Sequence, residues 1–222
     1  MRFRVPTTAL AGAVALLLSL PGLSQATLTE VGVIPETTPA TVPSCPGTQC
    51  LVITRTTGYQ VKVGSTRGLT AVPRAGSVVA WEITLGKPSA TQIKYFDTNE
   101  GGAASAALAI LEPQRKPNLT YKLIAQGPTE QLQKYFGKSV QFPLETTIKV
   151  KKGDVIALAV PTWAPALALG FNSETSWRAS RLRSQCSKTS IQSMQSIGAS
   201  VQYYCLYSKA RLDYSATLVS TP

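Results

Sequence analysis

The sequence lacks histidine altogether and holds only 11 acidic residues in 222. Without imidazole, no Ser–His or Cys–His nucleophile can form, and no metal site can use histidine ligands. The acidic residues stand one at a time, whereas a glycosidase needs two carboxylates about 5 to 10 Å apart. Glu82 and Asp213 fall in different predicted strands, which leaves a cross-sheet pair open. Otherwise we expect no enzymatic activity, no metal and no cofactor.

Long apolar runs are also scarce. One run, from about Leu10 to Leu20, follows Arg2 and Arg4 and precedes small residues ending at Ala26. This order is typical of a secretory signal peptide, and the run is shorter than the roughly 20 apolar residues of a membrane-spanning helix. We predict that residues 1–26 are removed, that no transmembrane segment follows, and that the protein is secreted or held at the cell surface.

The only cysteines are Cys45, Cys50, Cys186 and Cys205. An even number in an exported chain favours two disulfides over thiol chemistry. Three pairings exist in principle. We favour Cys45–Cys50 and Cys186–Cys205, because each pair brackets a short polar loop. A zinc site is the alternative, but the spacing lacks a C-x2-C pair.

Basic residues outnumber acidic ones by 22 to 11, a formal net charge of +11 that becomes +9 without residues 1–26. Net charge of this size affects solubility and non-specific partners rather than fold. Outside a cell, anionic envelope polymers and phospholipid surfaces are available partners, and we expect no specific nucleic-acid binding. The sequence indicates no oligomeric state.

Residues 27–44 are rich in Thr and Pro without an apolar period, which predicts an extended linker or arm. The packed domain is expected over residues 45–222. There, apolar residues recur at every second position in short runs, as in half-buried strands. One such run, "VVAWEITL", places Val79, Trp81, Ile83 and Leu85 on one face.

Nine to eleven runs of this kind, separated by Gly, Pro and Asn, predict an all-β single domain, a β-sandwich of jelly-roll or Ig-like type. Residues 146–160, "TTIKVKKGDVIALAV", predict a hairpin with Gly153 at its turn. Residues 128–139 contain helix formers and Gly137, and predict either one short helical turn or a strand. "DTNEGG", residues 97–102, resembles the start of a calcium loop, but Leu108 stands where the bidentate acid belongs. An ordinary turn is expected there.

Two groups of residues are candidates for ligand binding. Trp163 lies in a Pro-flanked loop and Trp177 stands beside Arg178, and an exposed indole can present a flat apolar face to a sugar ring. Arg181 and Arg183 alternate around Leu182, which predicts one strand face and, with Arg178, an anion-binding patch. The alternatives are burial of both tryptophans as loop anchors and a merely solvated basic face, like the one expected for Lys149, Lys151 and Lys152.

Several segments resemble a group of mostly uncharacterised secreted bacterial β-sandwich proteins. They are Cys-x4-Cys, "VPRAGSVVAWEI", "LAILEP", "YKLIAQGP", "PLETTIKVKKGDVIAL" and "ARLDYSATLVSTP". Pro73, Gly76, Trp81 and the Gly153-Asp154 pair match the group's recurring turns and Trp strand. The resemblance implies export and a β-sandwich, and it carries no catalytic or binding residue.

The leading hypothesis is a non-catalytic module that binds cell-envelope or environmental polysaccharide, anionic ones included. Trp163, Trp177, Arg178, Arg181 and Arg183 would form its binding face. The alternative is a structural or assembly protein of the cell surface without a small ligand, in which the Thr/Pro arm is a tether or donor segment.

Overall fold

The computed structural model describes residues 26–33 and 41–220, so the predicted signal peptide, apart from Ala26, lies outside the described residues. The described residues form fifteen strands, one α-helix and two short 3₁₀ helices. The strands pair with one another antiparallel throughout the described sheets. The expected all-β class is therefore confirmed, with more and shorter strands than predicted.

The elements follow one another along the chain in this order. They are β1 (Thr27–Val31), β2 (Ile53–Val63), β3 (Thr66–Arg67), β4 (Gly76–Thr84), α1 (Ala90–Asn99), β5 (Ser105–Pro113), β6 (Thr120–Gln126), β7 (Glu130–Gln131), a 3₁₀ helix (Gln133–Tyr135), β8 (Ser139–Val150), β9 (Val155–Ala164), β10 (Leu167–Leu169), β11 (Ser176–Ala179), a second 3₁₀ helix (Arg183–Gln185), β12 (Ser200–Gln202), β13 (Cys205–Ser208), β14 (Ala210–Leu212) and β15 (Tyr214–Ser220).

The strands form one large sheet, one smaller sheet and a short ribbon. The large sheet has the order β12-β6-β5-β9-β2-β11-β13, with β3 beside β2 and β7 beside β5. The smaller sheet has the order β1-β15-β4-β8, and β10 pairs with β14. Most neighbours are distant in sequence, so the topology is dominated by non-local pairing.

The main hydrophobic core receives side chains from both sheets. Trp81 and Ile83 of β4 are fully buried in it together with Leu108 of β5 and Leu158 of β9. Burying side chains of this size contributes about 1.5–3 kcal/mol each. The predicted burial of Trp81 is confirmed.

The predicted place of Val79 beside Trp81 is wrong. Val78 is buried and Val79 is half-buried, because the pairing of β4 with β8 shifts register between Val78 and Ala80. Such a bulge adds one residue to the strand and exchanges its inner and outer faces from that point.

The two central strands β5 and β9 are buried on both faces. Leu108 and Ile156 belong to the main core, whereas Ala107 and Ala157 belong to a second cluster on the other face of the large sheet. Residues 186–205, which contain Tyr203 of that cluster, cover this second face. The expected half-buried pattern therefore holds for the sheet edges and not for the centre.

Polar groups fix this covering segment onto the sheet. Ser193 donates from its backbone N to Arg55 O at 2.7 Å and from Oγ to Thr56 Oγ1 at 3.1 Å. Gln195 donates from its backbone N to Thr57 Oγ1 at 3.0 Å and accepts from Tyr203 Oη at 2.7 Å. Each satisfied bond of this kind adds about 0.5–1.5 kcal/mol net, and each buried group would cost more if left unpaired.

The hairpin predicted over residues 146–160 is wrong, although its turn is present. Gly153 has φ +93°, and Asp154 Oδ2 accepts from Lys151 N at 2.7 Å. However, β8 pairs with β4 in the smaller sheet and β9 pairs with β5 and β2 in the large one. The turn therefore connects the two sheets. Both β8 and β9 contribute apolar side chains to the main core from their separate sheets.

The segment expected as a linker or arm begins with a strand of the fold. Thr27–Val31 pairs with β15 and Val31 is buried, so packing starts before the boundary predicted at Cys45. Residues 34–40 of the segment lie outside the described residues. The short helical turn allowed within residues 128–139 is confirmed at Gln133–Tyr135.

Both predicted disulfides, Cys45–Cys50 and Cys186–Cys205, are present. Tyr207 Oη donates to Cys186 O at 2.7 Å, which ties the second loop to β13. Within residues 26–33 and 41–220, no helix has the length and apolarity needed to cross a bilayer.

We expect removal of the Cys186–Cys205 disulfide to cost about 3 kcal/mol of unfolding free energy, because the bond closes a longer loop than Cys45–Cys50, for which about 2 kcal/mol is expected. Urea unfolding of C186S/C205S and C45S/C50S measures both. A larger loss for the shorter loop would contradict the dependence on loop length from which this expectation follows.

Candidate functional site

The helix α1 was not predicted, and it forms one wall of the candidate site. Ser89 caps it: Ser89 Oγ accepts from Gln92 N at 3.3 Å, and Gln92 Oε1 accepts from Ser89 N at 2.8 Å. This reciprocal capping box satisfies two backbone donors that the first turn leaves free. Gln92 Nε2 also donates to Pro46 O at 3.3 Å, which links the helix to the Cys45–Cys50 loop.

The end of α1 is anchored by Trp163. Trp163 Nε1 donates to Asp97 Oδ1 at 3.0 Å and to Gly102 O at 2.9 Å, and its ring lies 4.9 Å from that of Phe96. Gln133 Nε2 also donates to Asp97 Oδ2 at 3.0 Å. The "DTNEGG" segment is therefore the end of a helix followed by a turn.

A cleft of about 820 Å³ lies between α1, the Cys45–Cys50 loop, β10 and the β13–β14 connection. This volume falls within the roughly 300–1,000 Å³ of ligand pockets in proteins. Most of its lining is apolar or aromatic, with polar groups at intervals. The residues that line it are Thr48, Gln49, Cys50, Leu51, Val52, Ile53, Thr54, Gln92, Tyr95, Phe96, Glu100, Leu167, Leu169, Gly170, Phe171, Trp177, Arg181, Thr189, Tyr207, Ser208, Lys209 and Ala210.

Stacked aromatic rings form part of the cleft floor. The rings of Trp177 and Tyr207 are stacked with centroids 4.4 Å apart, and they belong to the paired strands β11 and β13. Trp177 Nε1 is buried without a hydrogen-bond partner among the described residues. Tyr95 of α1 is 61% exposed and Leu51 is 53% exposed, so both present apolar surface to solvent beside the cleft.

Arg181 is buried beneath the cleft and holds its surroundings together. Its Nη2 donates to Thr54 O at 2.6 Å, and its Nη1 donates to Ile191 O at 3.0 Å and to Lys188 O at 3.2 Å. Burial lowers the pKa of the Arg181 guanidinium, while Tyr207 and Glu100 favour its charged form. Arginine stays protonated in proteins, so Arg181 is a buried cation whose terminal nitrogens are committed to carbonyl groups.

Glu100, the residue that ends α1, carries the only carboxylate among the described residues lining the cleft. Its side chain is 12% exposed, and Oε2 lies 3.9 Å from Arg55 Nε, too far for a good hydrogen bond. Oε2 has no hydrogen-bond partner within the described chain. Burial raises the pKa of the Glu100 carboxyl, against the attraction of Arg55 and Arg181.

The structure brings together two of the five predicted ligand-binding residues. Trp177 and Arg181 both line the cleft, but they are only 6% and 1% exposed. Trp163 is fully buried against α1. The expectation that these three side chains form an exposed face is therefore wrong, and burial of both tryptophans, the alternative, is confirmed.

The predicted arginine strand face is also wrong. Arg178 is half-buried and donates from Nη1 to Tyr203 O at 3.0 Å and to Tyr204 O at 2.9 Å. Arg183 is exposed, and its guanidinium lies 4.4 Å from the centre of the Tyr204 ring. β11 ends at Ala179 and Arg183 begins a 3₁₀ helix, so Arg181 and Arg183 share no strand.

The sequence reasoning missed Tyr95 and Glu100 because it missed α1. Ser89-x-x-Gln92 directly after Pro88 is a capping-box signature that could have located the start of the helix. No group of three potential metal-ligating side chains occurs in the described part of the chain. Likewise, no second carboxylate accompanies Glu100 among the described lining residues, so the two-carboxylate arrangement of a glycosidase is not found in this cleft.

Comparisons with known proteins find no matching family model, curated protein or solved structure. The resemblance to secreted bacterial β-sandwich proteins therefore stays a prediction.

We expect Trp163→Phe to destabilise the fold, because it retains the aromatic ring and removes a donor that serves Asp97 and Gly102. Trp81→Phe is a matched control, since Trp81 Nε1 is buried without a partner in the described chain. Both variants lose similar volume, so urea unfolding should show an additional loss of about 1–3 kcal/mol for Trp163→Phe. Equal losses would mean that the two hydrogen bonds add nothing.

Proposed function

We propose that this chain is an exported, non-catalytic module that binds polysaccharide in the cleft between α1 and the β13–β14 connection. The observation that carries the proposal is the combination of exposed and half-buried aromatic rings in one cleft of about 820 Å³. The ring of Tyr95 takes the role that the sequence suggested for Trp163.

The chemistry of the lining supports a sugar ligand. A sugar ring has an apolar face of C–H groups that stacks on aromatic rings, and hydroxyls at its edges that need hydrogen-bond partners. Tyr95 and Phe171 supply aromatic surface, while Gln49 and Thr189 supply polar groups along the same cleft. Because the mouth is open to solvent at Tyr95 and Leu51, a chain longer than the cleft can pass across it.

Export and the sandwich architecture belong to the same proposal. The two disulfides support an oxidising compartment outside the cytosol. A main core that receives side chains from both sheets supports a two-layer β-sandwich. The mature net charge of +9 would draw the module toward anionic envelope surfaces without selecting a ligand.

Replacing Tyr95 with Ala should remove the stacking surface and weaken glycan binding about tenfold or more. Stacking of a nucleic-acid base on one aromatic side chain is worth about 1–3 kcal/mol, and we expect a similar gain for the apolar face of a sugar. Tyr204→Ala is the matched control, because Tyr204 is also exposed and does not line the cleft. Binding of both variants to a glycan array and by calorimetry tests the proposal. An array profile unchanged by Tyr95→Ala would contradict it.

A second candidate function is surface assembly, and β1 is the observation that favours it. This edge strand pairs with β15 from Thr27 to Val31, yet Leu28 is 71% exposed and only Val31 is buried among its five residues. A strand that contributes backbone pairing and one core side chain can be supplied by a neighbouring chain.

If β1 acts as a donor segment, a chain that begins at residue 34 should bind a peptide of residues 27–33 and regain thermal stability. A peptide in which Val31 is replaced with Asp is the control, because its carboxylate would enter the core. Thermal unfolding with each peptide gives the answer. No difference between the peptides would rule out assembly through this strand.

A further inference from the structure

Glu100 sets a constraint on the charge of any ligand that enters the cleft. Its carboxylate lies at the end of α1, is mostly buried, and leaves Oε2 without a hydrogen-bond donor in the described chain. A carboxylate held in this way gains from a ligand group that donates a hydrogen bond, and it repels a second carboxylate.

The neighbouring cations do not offer an anion site in its place. Arg181 uses both terminal nitrogens on the carbonyls of Thr54, Lys188 and Ile191. Arg55 donates from Nη1 to Ser190 O at 2.8 Å. Arg181 is 1% exposed, with its Nε buried without a partner in the described chain, and Arg55 is not among the described residues that line the cleft, so neither guanidinium is open to a ligand there.

The same cations disfavour a positively charged ligand group beside Glu100. Arg55 and Arg181 act on the carboxylate from β2 and from the segment after β11, and Lys209 lines the cleft from the β13–β14 connection. Lys209 is exposed, so water and salt screen its charge. An ammonium group in the cleft would therefore find the charge of Glu100 already balanced by the two guanidiniums.

We propose that the ligand of this cleft is an uncharged glycan, such as a neutral or N-acetylated sugar, whose hydroxyl or N–H group donates to Glu100. Uronic acids and other anionic sugars are disfavoured in the same position. The inference rests on the proposed polysaccharide binding and replaces the broader expectation that included anionic polymers.

The first test compares a neutral probe, an oligomer of N-acetylglucosamine, with an anionic probe, an oligomer of galacturonic acid, within a wider glycan array. Glu100→Gln keeps the shape of the side chain and removes its charge. We expect Glu100→Gln to weaken binding of neutral glycans about tenfold, which corresponds to the loss of a charge-assisted hydrogen bond. Binding of anionic glycans should be unchanged or tighter. Glu145→Gln is the control, because Glu145 is exposed on β8.

The second readout is the pH dependence of binding. The pKa of Glu100 is raised above its ordinary value of 4.5 by burial, and the ionised form is the better acceptor. Affinity for a neutral glycan should therefore fall as the pH is lowered through this raised pKa, and the fall should be absent in Glu100→Gln. A purely structural role of Glu100 would not produce this difference.

The results separate the inference from the function on which it rests. If Tyr95→Ala weakens binding to no glycan on the array, both polysaccharide binding and the charge preference are overturned. The charge preference alone is overturned if the glycans whose binding Tyr95→Ala weakens are anionic. It is also overturned if Glu100→Gln leaves the affinity for those glycans and its pH dependence unchanged. Neutral glycans whose binding is weakened both by Tyr95→Ala and by Glu100→Gln support the charge preference.

Discussion

The fold depends on the burial of both faces of β5 and β9. Strands whose side chains are apolar on both sides are unstable unless each face of the sheet is covered. The smaller sheet covers one face over the main core, and residues 186–205 cover the other over a row of alanines that includes Ala107 and Ala157. The alanines allow an irregular segment to lie close to the sheet without a regular second layer.

The candidate site lies between α1 and the large sheet, and the second covering reaches it through Thr189. Arg55 and Arg181 connect residues 188–191 of the covering segment to β2 and to the neighbourhood of Glu100. Arg55 has φ +44° at a register shift of β2, an unusual backbone conformation for a residue with a side chain. Strained positions of this kind persist where the surrounding contacts define them, and they are common at functional sites.

The sequence predicted correctly which strand faces are buried where this follows from alternation of apolar residues. Its predictions were wrong where pairing between distant segments determines the structure. Trp81, Ile83 and Leu85 were correctly placed on one face, because they alternate along the chain and all three enter the main core. The prediction of a hairpin over residues 146–160 was wrong because the sequence pattern of two strands joined by a tight turn is the same in both cases. The strands can pair with each other, or they can belong to different sheets. The predicted core position of Val79 was wrong because a β-bulge leaves no local signal in the sequence. The predicted exposure of Arg181 was wrong because its hydrogen-bond partners are carbonyls of β2 and of residues 188–191, which are distant in sequence.

The cleft was unpredictable for a related reason, since its lining comes from six separate stretches of chain. Of the described lining residues, only Trp177 and Arg181 were predicted to bind a ligand, and both are buried there by contacts that composition cannot reveal. By contrast, the disulfides followed from loop length and polarity, which are local properties.

The pairing of β1 with β15 has a consequence for the order in which the molecule can be completed. Thr27 and Ser220 face each other across the ladder, 193 positions apart. The first described strand therefore cannot pair with β15 until β15 has left the ribosome. Since contacts of such separation also slow folding, the smaller sheet must close late, and its β15 edge is exposed to solvent and to other chains during that interval.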